Sequence, residues 1–407
     1  MKTAPPMLIV LVALAGCSGR GATTASLPGV PDDALHRRAP DGATYKSLFE
    51  FAGGAGGLAP EAGLVELGGE FYGTTFLGGT ANCGTVFKIS ASGQQHVLYS
   101  FQGGSDGKNP SASLVAVHGV LYGTTTEGGT GSGGGNGVVF SITTAGEEHV
   151  LHAFQGNPDG QASYGNLIEY KGKLYGTTAY GGTDGGTVFE IDTAGHERVV
   201  YAFGANPDDG SAPLAGLIDV GGTFYGTTAG GGGKKVAGTV FSVTPAGTEK
   251  VIYTFKAGLD GETPGAPLVE LNGEFYGTTV YGGSSDPSLY NGVIFKVNAA
   301  GREKVLHRFQ GESDGASPLG GLTAVNGTLY GTTYFGGDGT PSFSGNGTIY
   351  SVTTAGVETI LHDFQGEGDG SNPEGNLIAL QGSLYGTSSQ QGLGQANGNG
   401  NVFSLTP

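Results

Sequence analysis

The chain has 407 residues, 83 of them glycine and 18 proline, and a formal net charge of −17. So acidic a chain lacks the basic face that nucleic acid requires, and charge alone would not dock it on anionic lipid. Its two cysteines, Cys17 and Cys83, exclude a disulfide framework.

In chain order, Lys2 is followed by an apolar run from Met7 to Ala15. That is the length of a signal-peptide core and too short to span a bilayer. The run ends Leu14-Ala15-Gly16-Cys17, which looks like a lipobox with Cys17 as the lipidated residue. An ordinary signal peptide with an incidental cysteine is the other reading, and the small-residue cleavage site favours the lipobox. Ser18 after the cysteine resembles the sorting pattern of outer-membrane lipoproteins. The expectation is an exported protein, lipid-anchored at the cell envelope, with the lipid as its one membrane contact. Residues 1–16 read as the signal peptide and residues 17–44 as the lipidated cysteine and a flexible linker, rich in Gly, Ala, Thr and Pro.

Residues 45–407 carry a seven-fold repeat. Glycine and proline in such amounts would suggest low complexity, but here the glycines recur in register and read as turns. A Tyr-Gly-Thr motif begins at Tyr72, Tyr122, Tyr175, Tyr225, Tyr276, Tyr330 and Tyr385. A Gly-x-Val-Phe-like motif places aromatics at Phe87, Phe140, Phe189, Phe241, Phe295, Tyr350 and Phe403. A third segment ends at Phe51, Phe101, Phe154, Phe203, Phe255, Phe309 and Phe364. The second aromatic precedes the next third-segment Phe by 14 residues in every complete case. That Phe precedes the next Tyr by 21 residues, or once by 22, so the length variation sits in one loop.

Each repeat reads as four short strands, A to D, with no helical period. In the second repeat these are Leu114–Val117, Val120–Thr126, Val138–Thr143 and Glu148–Phe154. The A–B joints are x-Gly pairs such as His118-Gly119 and Asn272-Gly273, which suit tight hairpins. Four antiparallel strands in about 50 residues, seven times over, predict an all-β fold: a seven-bladed β-propeller. The last repeat stops after its strand C, and Tyr45–Phe51 is an orphan strand D. This N-terminal strand is predicted to complete the last blade and close the ring.

The core Leu-Tyr-Gly-Thr-Thr, Gly-Thr-Val-Phe and Val-Leu-Tyr-x-Phe resembles the GloVer tandem repeat of "choice-of-anchor" bacterial surface proteins, across residues 45–407. The resemblance implies surface display, with no activity and no catalytic residue attached.

Chain geometry puts the A–B and C–D turns on one face, and the variable B–C loops and the D–A connections on the other. Function is expected on the loop face, through aromatics that break the repeat: Tyr180, Tyr281, Tyr290, Tyr334, Phe335 and Phe343. The competing reading has them fold back over their own glycine-rich loops. The D–A connections repeat Asp-Gly at Asp106, Asp159, Asp209, Asp260, Asp314 and Asp369. Clustered carboxylates could hold Ca²⁺. The preferred reading is structural, because a motif in nearly every blade builds blades, so no cofactor is expected. His152, His307 and His362 sit where other blades have Tyr99, Tyr201 and Tyr253, and read as packing residues. Cys83 has no matched histidine for catalysis. The first functional reading is a monomeric, non-catalytic binding or display module for a carbohydrate, peptide or surface protein. The second is an extracellular carbohydrate hydrolase or lyase at the channel mouth, with Glu127, Asp184, Asp286 and Asp338 as available acids. The third is a purely structural surface protein.

Overall fold

The computed structural model describes residues 42–129, 134–233, 237–286, 291–337, 344–390 and 399–407, with the backbone of His36–Arg38. Cys17, Tyr290, Asp338 and Phe343 lie outside the described residues, as do the stretch read as a signal peptide and most of the stretch read as a linker. Seven four-stranded antiparallel sheets follow one another along the chain. Blades one to six span residues 65–100, 115–153, 168–202, 218–254, 269–308 and 323–363. Blade seven takes three strands from residues 378–406 and its fourth from Thr44–Glu50.

The strand limits follow the sequence closely. In blade two, strands A to D are Val115–Val117, Val120–Thr124, Val138–Thr143 and Glu148–Ala153. The A–B turns have positive φ at both central residues, as at His118 (51°) and Gly119 (85°). This is the mirror-image turn whose twist matches that of the flanking strands. Strand D carries a bulge in every blade; in blade one the pairing skips Leu98 between Val97 and Tyr99. The bulge re-aims the residues beyond it toward the neighbouring blade.

Packing between blades explains the repeated motifs. The terminal Phe of each strand D meets the strand-C aromatic of the next blade edge-to-face, with centroids 4.9–5.4 Å apart. Such a pair adds about 0.5–1.5 kcal/mol beyond the area it buries. In the Tyr-Gly-Thr motif the tyrosine stacks on the next blade, as Tyr175 does on Phe224 at 4.5 Å. The glycine is obligatory: a Cβ on Gly176 would lie 2.6 Å from Phe189 Cζ and 2.7 Å from Leu167 Cδ2. The first threonine donates to a backbone carbonyl of the next blade, as Thr177 Oγ1 does to Ala215 O at 2.8 Å.

The ring closes as predicted. Thr387 in blade seven donates to Ala62 O ahead of blade one at 2.8 Å, and Tyr385 packs on Phe71 at 4.4 Å. Thr44–Glu50 pairs antiparallel with Asn401–Thr406, placing Ser47 opposite Phe403. Buried Asn401 reinforces the seam: its Nδ2 donates to Tyr45 Oη and Ser47 Oγ, and its Oδ1 accepts from Ser388 Oγ. His36–Arg38, inside the stretch read as linker, adds a parallel strand beside strand D of blade six, Glu358–Asp363. Adjacent strands A touch one another around the axis, so strand A is innermost and strand D outermost.

Candidate functional site at the channel mouth

Each D–A connection makes a two-way backbone bridge with the start of a B–C loop, as Lys108 does with Glu127 and Gln161 with Tyr180. The two sets of loops therefore share one face, as the sequence predicted. The bridging also fixes the aromatics. Phe335 bridges Ala316 and is 5% exposed, and neighbouring Tyr334 is 6% exposed. Tyr180 and Tyr281 are half-buried at the same bridge position, opposite Gln161 and Glu262. These four are not an exposed aromatic platform: backbone pairing pins them to the D–A connections, and the Tyr334 hydroxyl accepts from Gln390 of blade seven.

Sequence reasoning missed a different set. Three residues before the first buried leucine of each inner segment, the seven repeats carry Glu61, Ser111, Tyr164, Leu214, Gly265, Leu319 and Glu374. These positions break the repeat while the flanking ones keep it. The residue two places earlier is left-handed in all seven, from Ala59 (55°) to Asn372 (56°), which turns the chain onto the innermost strand. Glu61 and Glu374 belong to adjacent blades. Their loops touch: a Cβ on Gly375 would fall 2.5 Å from Gly63 N. Burial pushes the Glu374 carboxyl up to about 7, with a hydrogen bond from Ser389 opposing it. Burial and then the charge of Glu374 push Glu61 well above the usual carboxylate range. Burial, then Glu374 and Glu61, raise the Tyr334 hydroxyl. Burial, then Tyr180, Glu127 and Glu61, raise that of Tyr164. Groups from the segments of blades one, three, six and seven thus influence one another from the connections that lead into the innermost strands and from the start of a B–C loop. Gln390 Nε2 joins them by donating to Tyr334 Oη at 3.3 Å.

The repeated aspartates are structural. Asp106 accepts from Gln102 N at 2.5 Å and from Tyr99 Oη at 2.8 Å, closing its own turn. Asp159, Asp209, Asp260, Asp314 and Asp369 do the same with Gln155, Gly204, Lys256, Gln310 and Gln365. Where strand D offers histidine, the ring nitrogen replaces the phenol: His152, His307 and His362 lie 3.0, 3.2 and 3.1 Å from Asp159, Asp314 and Asp369. The histidines read as packing residues are thus hydrogen-bonded partners of the aspartates. No three of the six aspartates gather into one cation site among the described residues.

A glutamate at the start of the next blade's strand D faces each of five such pairs: Glu148, Glu197, Glu249, Glu303 and Glu358. Burial and then the facing aspartate push Glu148, Glu249 and Glu303 up to about 7. Between blades seven and one the three positions change as a unit, to Phe49, Gly56 and Gln95. Without the aspartate the chain keeps neither the phenol nor the acid.

The profile of the Gloeobacter/Verrucomicrobia repeat matches residues 32–135, 130–342 and 284–407. The chain belongs to that family. No curated protein matches it. Among solved structures, this Gloeobacter/Verrucomicrobia repeat protein is similar to the computationally designed Ika8 protein, at 14% identity over 88% of this chain and 98% of that one, TM-score 0.49. It is also similar to PorZ, a surface component of the type-IX secretion system of Porphyromonas gingivalis, at 16% identity and TM-score 0.50. That match covers 84% of this chain and 46% of PorZ. An alpha-L-arabinanase of Penicillium chrysogenum matches at 13% identity over 72% and 91% of the two chains, TM-score 0.41. These likenesses concern the fold.

Chemically, the mouth of the Gloeobacter/Verrucomicrobia repeat propeller presents two carboxyl groups with elevated pKa and two tyrosine hydroxyls. Cys83 stays apart from this chemistry: it is buried, and its thiol donates to Ala81 O.

Proposed function

We propose that the propeller is a surface binding module whose ligand enters the channel mouth on the loop face, and that the ligand is an oligosaccharide. The observation that carries this reading is the electrostatic coupling of Glu61 with Tyr164, Tyr334 and Glu374, drawn from four separate blade segments at positions that break the repeat. Carboxyl groups and phenols match sugar hydroxyls, which both donate and accept, and half-buried Tyr164 offers part of its ring. In this proposal the chain is exported and held at the envelope through a lipid on Cys17, with the loop face outward. Glycan-array screening of the purified protein, followed by calorimetry, tests it. Glu374→Gln and Tyr164→Ala are expected to weaken binding at least about tenfold, the loss of one good hydrogen-bonded contact. Tyr281→Ala, at the outer bridge position, is expected to leave it unchanged. Binding unaffected by both mouth variants rejects the assignment.

A second reading is favoured by the same two acids. A pair of carboxyls with raised pKa suits general acid–base cleavage of a glycosidic bond. Release of reducing ends from the bound glycan, abolished in Glu374→Gln, would select it over simple binding.

A further inference from the structure

Of the five Asp–Tyr/His–Glu interfaces, three place a phenol beside the aspartate and two a histidine. Between blades two and three that residue is His152, which brings a nitrogen lone pair where the phenols of Tyr99, Tyr201 and Tyr253 bring none. His152 Nε2 lies 3.0 Å from Asp159 Oδ2, and one ligand atom each of His152, Asp159 and Glu197 falls within 4.8 Å of the others. Zinc bonds of roughly 2.0–2.2 Å to imidazole and carboxylate set ligand atoms of a tetrahedral site roughly 3.3 Å apart. The His152–Asp159 edge is therefore already close to that length, and a Glu197 carboxylate oxygen lies within 4.8 Å of both. Glu197 Oε1 accepts no hydrogen bond, so a lone pair is available. The imidazole is held edge-on against Phe154 at 5.2 Å, and Asp159 is fixed by the backbone N–H of Gln155. The His152 and Asp159 side chains are 21% and 15% exposed, which leaves a path for an ion from solvent. The same residue types recur between blades five and six. There His307, Asp314 and Glu358 are 7%, 4% and 0% exposed, so no such path exists.

We propose that His152, Asp159 and Glu197 bind one divalent zinc-class ion, clamping blade two to blade three. Two carboxylates and a neutral imidazole balance its charge, and a solvent molecule takes the fourth position. His152 and Asp159 come from strand D of blade two and the connection after it, and Glu197 from strand D of blade three. The ion therefore joins elements of two blades whose acids, Asp159 and Glu197, already interact.

The test is zinc titration of the full-length, EDTA-treated protein by calorimetry, with thermal unfolding in parallel. One zinc per chain is expected, with a melting temperature that rises and saturates with zinc. His152→Tyr installs the residue three sibling interfaces already carry, so the fold and the melting point in EDTA should be kept. This variant and Glu197→Gln are each expected to bind zinc at least tenfold more weakly. Absence of zinc binding by the parent protein, or binding unchanged in either variant, overturns the proposal.

Discussion

Deletion of the chain through Phe51 is expected to abolish cooperative unfolding and yield an aggregating protein, whereas deletion through Asp41 is expected to retain a single cooperative transition. The difference is strand D of blade seven. Without Thr44–Glu50, the strand Asn401–Thr406 becomes an open edge with unpaired N–H and C=O groups, a template for pairing with other chains. The loss extends beyond that strand. Phe51, 2% exposed, packs edge-on against Phe87 and belongs to the cluster of Leu64, Phe71, Ile89 and Val402. Its removal uncovers the side of blade one as well. The single substitution Phe51→Ala samples the same joint, with an expected cost of about 3–5 kcal/mol. Urea unfolding followed by circular dichroism reads both effects, and size-exclusion chromatography reads the aggregation. A compact, cooperatively unfolding monomer after deletion through Phe51 would show that the ring does not need its latch. A synthetic peptide of residues 42–53 added in trans should restore part of the lost stability.

Replacing Glu148, Glu249 and Glu303 together by glutamine should raise the melting temperature by several degrees at pH 8 and change it little at pH 5. Each of these carboxyls is pushed up to about 7 by burial and then by the aspartate facing it: Asp106, Asp209 and Asp260 respectively. A phenol lies in each gap, as Tyr201 Oη donates to Asp209 at 3.0 Å. In the unfolded chain the same glutamates titrate near their ordinary 4.5. Between about 4.5 and 7 the native state therefore binds more protons than the unfolded state, and stability falls as pH rises through that window. Glutamine keeps the uncharged shape that the native interface prefers and removes this dependence. Glu61 and Glu374 shift in the same direction, and Glu190, held low by Lys173, Arg198 and Tyr175 against its own burial, in the opposite one. The comparison is therefore the difference between variant and parent at each pH. A variant no more stable than its parent at pH 8 would rule out the carboxyl pairs as the source of strain.

Blade number, strand limits and the identity of the closing strand were legible because they rest on spacing, and backbone pairing obeys spacing. The turn chemistry was equally local: an x-Gly pair says where φ must be positive. The channel-mouth acids were not legible in this way. Glu61 and Glu374 are more than 300 residues apart, and their meeting is a product of ring closure. The available signal was that the D–A position breaks the repeat, just as the B–C loops do. Tyr334 and Phe335 were legible as residues that break the repeat, but their burial was not. Their loop looks free in sequence, and the bridge from Phe335 to Ala316 lays it against the neighbouring connection. The role of the aspartates was half visible, since the Tyr/His alternation showed in the sequence and the facing glutamate, from the next blade, did not.

The seam inside blade seven is held by Asn401, Tyr45, Ser47 and Ser388, with Tyr45 lying flat on His362 at 3.9 Å. Burial keeps the Tyr45 hydroxyl protonated far into the alkaline range. The side chains that bond across this seam therefore carry no charge, while the His362–Asp369 pair and Glu50 lie beside it. Salt reaches this joint through those neighbouring charges rather than through the bonds that fasten the circle, which distinguishes it from the carboxyl-rich joints elsewhere.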